Sequence, residues 1–145
     1  MSFELIALLC AALFAGASVY VSIVEHPARL GAGTDVALAQ WRPSYKRAAV
    51  MQSVLAILGL LTAVAAYAVG RGTPALIGGL CLITVAPWTL IVIMPTNRQL
   101  LDPARSAATP DTDALLLKWG RLHTVRTVAS LASVAILGLH IAGYL

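Results

Sequence analysis

Charge is scarce in this chain of 145 residues: only 11% are Asp, Glu, Lys or Arg, and only six of those sixteen are acidic. A soluble globular domain carries about 25% charged residues, so an ordinary soluble domain is excluded. Disorder is excluded too, because it needs high charge and low hydrophobicity. Cysteine is nearly absent. Cys10 and Cys81 stand alone, with no CxxC or Cys/His spacing, which leaves out a zinc ribbon or a disulfide framework. Both read as packing residues, although their depths on parallel spans leave a bridge geometrically open. There is no internal repeat, no low-complexity tract and nothing resembling a nucleic-acid module.

What the chain has instead is apolar length. Of its residues 59% are apolar, and all sixteen charges fall outside four runs, 5–24, 48–70, 72–97 and 127–145. A helix needs about 20 apolar residues to cross a hydrocarbon layer of roughly 30 Å, and runs this long without alternation are helices rather than barrel strands. The fold class expected is all-α, a single integral membrane domain forming an antiparallel four-helix bundle. Its spans are expected at about 5–26, 44–69, 74–94 and 118–144, with connections at about 27–43 and 95–117. The first run lacks a basic region ahead of it and reads as a mature span, not a signal peptide.

Local signals refine this plan. Pro27 stops span one; Thr34 is a candidate N-cap for a short helix through Gln40 or Trp41, and Pro43 fits the first turn of span two. Gly70-Arg71-Gly72 makes a tight turn, and Pro87 should kink span three, a neighbour repairing the freed carbonyl. Thr109 caps a fourth helix that would protrude if it continues to Tyr144. Small residues, such as Gly78-Gly79 and Ser130, Ala132 and Ser133, allow close helix approach and are compatible with a homo-oligomer.

The basic residues are lopsided. Arg29, Arg42, Lys46, Arg47, Arg98, Arg105, Lys118, Arg121 and Arg126 flank one face, and Arg71 alone flanks the other. The positive-inside rule then expects cytoplasmic connections and both termini outside, as in a bacterial inner membrane, with anionic headgroups as lipid partners. Snorkelling at span ends is the plain reading of Arg42, Lys46, Arg47, Arg105 and Arg121. Trp88 reads as core, His140 as structural, and Trp41 and Trp119 as either belt or pocket residues.

Polar residues converge on the same end. Glu25-His26-Pro27 closes span one, Tyr45 and Gln52 open span two, Met94-Pro95-Thr96-Asn97-Arg98 closes span three, and Trp119, His123 and Arg126 share a face of span four. Two histidines, a carboxylate, guanidiniums and an amide at one pocket mouth suit proton transfer, or the binding of an anion or a metal. Glu25 could equally pair with Arg29 or Arg126.

These motifs, Glu25-His26-Pro27, Tyr45, Gln52, Pro95-Thr96-Asn97 and Trp119-x-x-x-His123-x-x-Arg126, resemble the anthrone-oxygenase-like family of small four-span membrane proteins. The resemblance covers nearly the whole chain. It implies oxygenation of a lipophilic, polycyclic anthrone to an anthraquinone with no added flavin or haem. Carried over, it makes His123 or His26 the base, with Glu25 orienting an imidazole and Arg126 and Asn97 supporting the oxyanion. Trp119, Tyr45, Gln52 and Arg98 would contact substrate. Two other classes stay open. One is a copper, iron or haem oxidoreductase using His26 and His123. The other is a small transporter or accessory subunit, against which stand the position of Glu25 at a span end and the charge bias.

Overall fold

In the computed structural model, described for residues 2–106 and 109–145, four long helices account for the chain: α1 (Phe3–Gly31), α2 (Thr34–Ala68), α3 (Thr73–Leu101) and α4 (Pro110–Ile141). Each is long and apolar enough to cross a membrane, and no strand occurs among the described residues. The helices pack as a ring: α1 on α2, α2 on α3, α3 on α4, and α4 back on α1.

The interior is built from small side chains. Ala7, Ala11, Ala56, Ala63, Ala66 and Ala75 are buried, whereas Leu13, Ile23, Leu90, Ile91 and Val128 face outward. That inversion suits a bundle whose outer surface meets lipid, where association comes from close backbone packing. One apolar cluster, around Phe14, Leu82 and Leu137, fills the end nearest the Gly70-Arg71-Gly72 turn. A second, around Leu38, Trp41, Leu100 and Trp119, fills the opposite end. Between them lies a layer that is not apolar: Ser18, Gln52, His123, Arg126 and Thr127 are all buried there.

Several helix limits differ from expectation for identifiable reasons. No separate short helix covers 34–41, because α2 runs unbroken through Pro43 to Ala68. An interior proline costs about 3 kcal/mol. Burial of Ala37, Leu38 and Trp41 against α3 and α4 offsets this, since one large apolar side chain contributes about 1.5–3 kcal/mol. Thr34 is not the cap; Gly33 holds that place at φ +99°, and Thr34 Oγ1 donates to Asp113 Oδ1 at 3.3 Å, tying the starts of α2 and α4 together. Thr109 does cap α4, accepting from the Thr112 N–H at 3.4 Å.

Proline shapes the other two helices. In α3 the regular turns stop at Ile83 and resume at Val85, ahead of Pro87, with Thr84 Oγ1 donating to the Cys81 carbonyl at 2.7 Å. Two wide π-helical turns follow the same logic: Val21–Glu25 precedes His26-Pro27, and Thr89–Ile93 precedes Met94-Pro95. A proline cannot donate to the ladder, and widening the turn ahead of it absorbs the lost bond. Cys10 and Cys81 are free; Cys10 packs beside Gly59, and Cys81 donates to the Ala129 carbonyl.

Close approach of α2, α3 and α4 depends on glycine. A Cβ at Gly78 would stand 2.5 Å from Leu137 Cγ, and one at Gly79 would collide with Ala63. Gly79→Val should therefore lower stability by about 1–3 kcal/mol in detergent unfolding. Gly16→Ala, with nothing within 4 Å of its Cβ, should be neutral or stabilising. Equal effects of the two substitutions would contradict this packing.

Candidate functional site

The polar layer begins with Arg126, whose burial is costly, about 2.5–3.5 kcal/mol for a guanidinium at the centre of a membrane helix. Its Nη2 donates to Gln52 Oε1 at 2.6 Å, and its Cζ lies 5.5 Å from the centroid of the Phe14 ring. A charge-assisted hydrogen bond contributes about 1.5–3 kcal/mol and a desolvated cation–π contact about 2, so the two together offset the cost. Neither brings negative charge. Among the described residues no carboxylate pairs with Arg126, and its buried Nε has no partner.

One turn earlier on α4, His123 is fixed by a relay. Its Nδ1 lies 3.1 Å from Ser22 Oγ, which lies 2.8 Å from Thr127 Oγ1, which reaches the Ser18 carbonyl at 3.3 Å. A carbonyl only accepts, so Thr127 spends its single hydrogen on Ser18. Ser22 must then donate to Thr127, and its oxygen accepts from His123. In the neutral imidazole the proton therefore sits on Nδ1, and Nε2 keeps its lone pair.

Aromatic rings link the two histidines to α2. Trp119 stacks on His123 at 4.9 Å and meets His26 at 5.0 Å, while Trp41 packs edge-on to Trp119 at 5.6 Å and stacks on Tyr45 at 4.9 Å. His26 is clamped: its Nε2 donates to the Leu116 carbonyl at 3.0 Å, and it occupies the space left by Gly120, whose Cβ would lie 2.6 Å from the ring.

Three spaces adjoin these groups. A cavity of about 20 Å³ is bounded by Arg29, Tyr45, Gln52, Trp119, His123 and Arg126. A larger one of about 160 Å³ between α2 and α3 shares Tyr45, Gln52 and Arg126 with it. On the far side, between α1 and α4, a groove of about 230 Å³ carries Ser22, His26, Trp119 and His123.

The structure thus brings together His123, Arg126, Gln52, Tyr45 and Trp119, and it places the remaining candidates elsewhere. Glu25 orients neither imidazole; its Oε1 takes Arg29 at 2.7 Å, Gln40 at 2.6 Å and Ser44 at 3.1 Å. Asn97 is wholly buried behind Tyr45, donating to its hydroxyl at 3.0 Å, and lines none of the three spaces. It can act only through Tyr45, whose own hydrogen is left for the cavity. Arg98 is exposed and away from the site. Arg42 does not simply snorkel: it donates to the Leu100 and Asp102 carbonyls at 2.9 and 2.7 Å, closing the end of α3. As ligands for a metal the residues fit poorly. His26 Nε2 is committed, Glu25 is turned away, and among the described residues no three His, Cys, Asp or Glu side chains come together.

Sequence reasoning passed over Phe14, Ser18, Ser22 and Thr127, and read Arg29 only as a surface or pairing charge. A signal was present: Ser18, Ser22 and His26 recur every fourth residue, as do His123 and Thr127.

Fold and site together define an integral membrane four-helix bundle with an enclosed polar layer. The sequence model of a family described as Anthrone oxygenase matches residues 41–136, and the chain belongs to that family. It is similar to the anthrone oxygenase tpcL of Aspergillus fumigatus, 35% identical over 74 residues, which cover 48% of this chain and 45% of that protein. It is also similar to an anthrone oxygenase of Claviceps purpurea, 27% identical over 93% of this chain and 85% of the relative. No solved structure matches. The family match spans Tyr45, Gln52, Trp119, His123 and Arg126 but leaves out the α1 residues of the relay.

Donor accounting makes the relay testable. Nitrogen-15 NMR of imidazole-labelled protein should show neutral His123 with Nδ1 protonated, and Thr127→Val should mix the tautomers while Thr127→Ser preserves them. A protonated Nε2 in the unsubstituted protein would contradict the relay.

Proposed function

We propose that the protein is a membrane oxygenase that converts a lipophilic, polycyclic anthrone to the corresponding anthraquinone, with His123 as base and Arg126 as anion support. The observation that carries this reading is the placing of His123 and Arg126 on one small cavity, with the histidine's Nδ1 held by Ser22. Both named relatives are anthrone oxygenases, which supports the same reaction class here.

The methylene of an anthrone lies between two aromatic rings and is conjugated with a carbonyl, so its conjugate base is a delocalised enolate. His123 lines the small cavity and not the larger one, so its Nε2 takes the methylene proton through one water held in the small cavity. The charge that develops on the substrate oxygen falls to Arg126 and the Tyr45 hydroxyl, which line both. The enolate gives one electron to dioxygen, and the resulting radical and superoxide join in a new carbon–oxygen bond. The peroxide takes up a proton. Loss of the remaining proton on that carbon then breaks the O–O bond, forms the second carbonyl and releases hydroxide, which becomes water. One anthrone and one dioxygen give one anthraquinone and one water, so the electrons balance without a resident redox group. The 20 Å³ cavity is above the roughly 10–15 Å³ a single water needs, so it has room for the water that relays the proton. Both termini lie outside in this reading, and the basic connections meet anionic headgroups on the cytoplasmic side.

The test is oxygen uptake and quinone absorbance with anthrone in nanodiscs, corrected for spontaneous oxidation. His123→Ala should lower the rate by about 10²–10⁴-fold, the usual range for a lost general base, with helix content unchanged. An undiminished rate in that variant would remove His123 from the mechanism.

A further inference from the structure

We infer that the cavity between α2 and α3 is a binding site for a planar aromatic ligand held as its aryl oxide anion, with the oxygen on Arg126 and the mouth open to the bilayer interior. This deepens the oxygenase reading and rests on it for the identity of the natural ligand, though not for the existence of the site.

The cavity follows from the irregularity of α3. The break at Thr84, ahead of Pro87, and the wide turn at Thr89–Ile93 set Val85, Ala86, Thr89 and Leu90 back from α2. The facing turns of α2 place three small side chains there, Ala49, Ser53 and Ala56, beside Tyr45, Gln52 and Ile57. The space of about 160 Å³ is walled mostly by apolar groups, including Phe14 and Ile83. At its rim Ile57 and Leu90 are 53% and 64% exposed, and both lie within spans, so the opening faces hydrocarbon and not water. An apolar cavity of roughly 150 Å³ accepts a benzene ring. One ring of a polycycle therefore fits inside, and the others lie in the cleft toward lipid.

The polar end selects charge. Arg126 is 8% exposed, has no carboxylate partner among the described residues, and leaves Nε unbonded. Gln52 and Phe14 hold it without neutralising it. A buried cation of this kind accepts an anionic oxygen with little further desolvation, and Tyr45 on the same wall supplies a second donor. A ligand that is flat, lipophilic and carries one acidic hydroxyl satisfies both ends; a neutral hydrocarbon satisfies only one.

The probe is 2-hydroxyanthraquinone, which is coloured, changes colour on ionisation and has no methylene to oxidise. Titrated into nanodiscs holding the full chain, it should bind in its ionised colour at a pH where the free dye is protonated, and unsubstituted anthraquinone should bind more weakly. Arg126→Gln should weaken dye binding roughly 10- to 100-fold, the worth of a charge-assisted hydrogen bond, and abolish the colour change, while Arg126→Lys should keep it in part. Ala86→Phe should fill the cavity and weaken both compounds; Ser53→Leu, at the exposed rim, serves the same purpose should Ala86→Phe not fold. Absence of binding, equal affinity for the two compounds, or dye binding indifferent to both filling variants would overturn the site. Dye binding as expected, with no oxygen uptake on anthrone, would overturn the oxygenase reading and leave the site standing.

Discussion

A guanidinium inside a bundle that faces lipid on every side must be answered by atoms from other helices. Arg126 on α4 is answered by Gln52 on α2 and Phe14 on α1, so three of the four helices are held in register around one charge. Arg29 does the same nearby: with 4% of its side chain exposed, it pairs with Glu25, which also gathers Gln40 and Ser44 from α2. The two arginines differ in one respect. Each leaves a buried Nε without a hydrogen-bond partner, but Arg29 has its counter-ion, whereas Arg126 has only neutral company. That difference separates a structural ion pair from a group available to a ligand. Leaving a buried charge without its partner is costly, so Gln52 is as much part of the fold as of the site.

The distribution of charge along the sequence defined the four spans, because a charged side chain in hydrocarbon is expensive whatever its neighbours. The ends were harder to read. Pro27 and Pro95 look like stops and Pro43 like a start, yet α1 and α3 continue past theirs and α2 begins well ahead of Pro43. The reasons are tertiary: wide turns ahead of Pro27 and Pro95, and packing of Ala37, Leu38 and Trp41 ahead of Pro43. Helical phase correctly grouped Trp119, His123 and Arg126 and placed Tyr45 and Gln52 opposite them. Phase gave the Glu25–Arg29 pair, four residues apart, but not the turn of Glu25 away from the imidazoles toward α2, and it failed for Asn97, one layer behind Tyr45. Which neighbour a polar side chain chooses depends on distances across helices, and those are not periodic.

The irregular turns connect fold to chemistry. α3 contributes no ionisable group to the polar layer; its contribution is shape, since the break at Thr84 and the wide turn at Thr89–Ile93 open the only large space that touches Arg126 among the cavities described. α1 contributes the opposite: the Ser22 hydroxyl and the Ser18 backbone carbonyl, joined through Thr127, fix the proton of His123. His123 and Arg126 thus come from α4 and the apolar slot mainly from α2 and α3, and the family match at residues 41–136 spans all three helices.

Oxygenation requires that an atom of dioxygen end in the product. The direct measurement is turnover of anthrone by the purified protein under ¹⁸O₂, followed by mass spectrometry of the quinone. The account predicts one ¹⁸O per molecule, at the carbon that was the methylene, with the original carbonyl unlabelled. A quinone whose new oxygen comes from water would contradict it, and would make the protein a dehydrogenating enzyme and not an oxygenase.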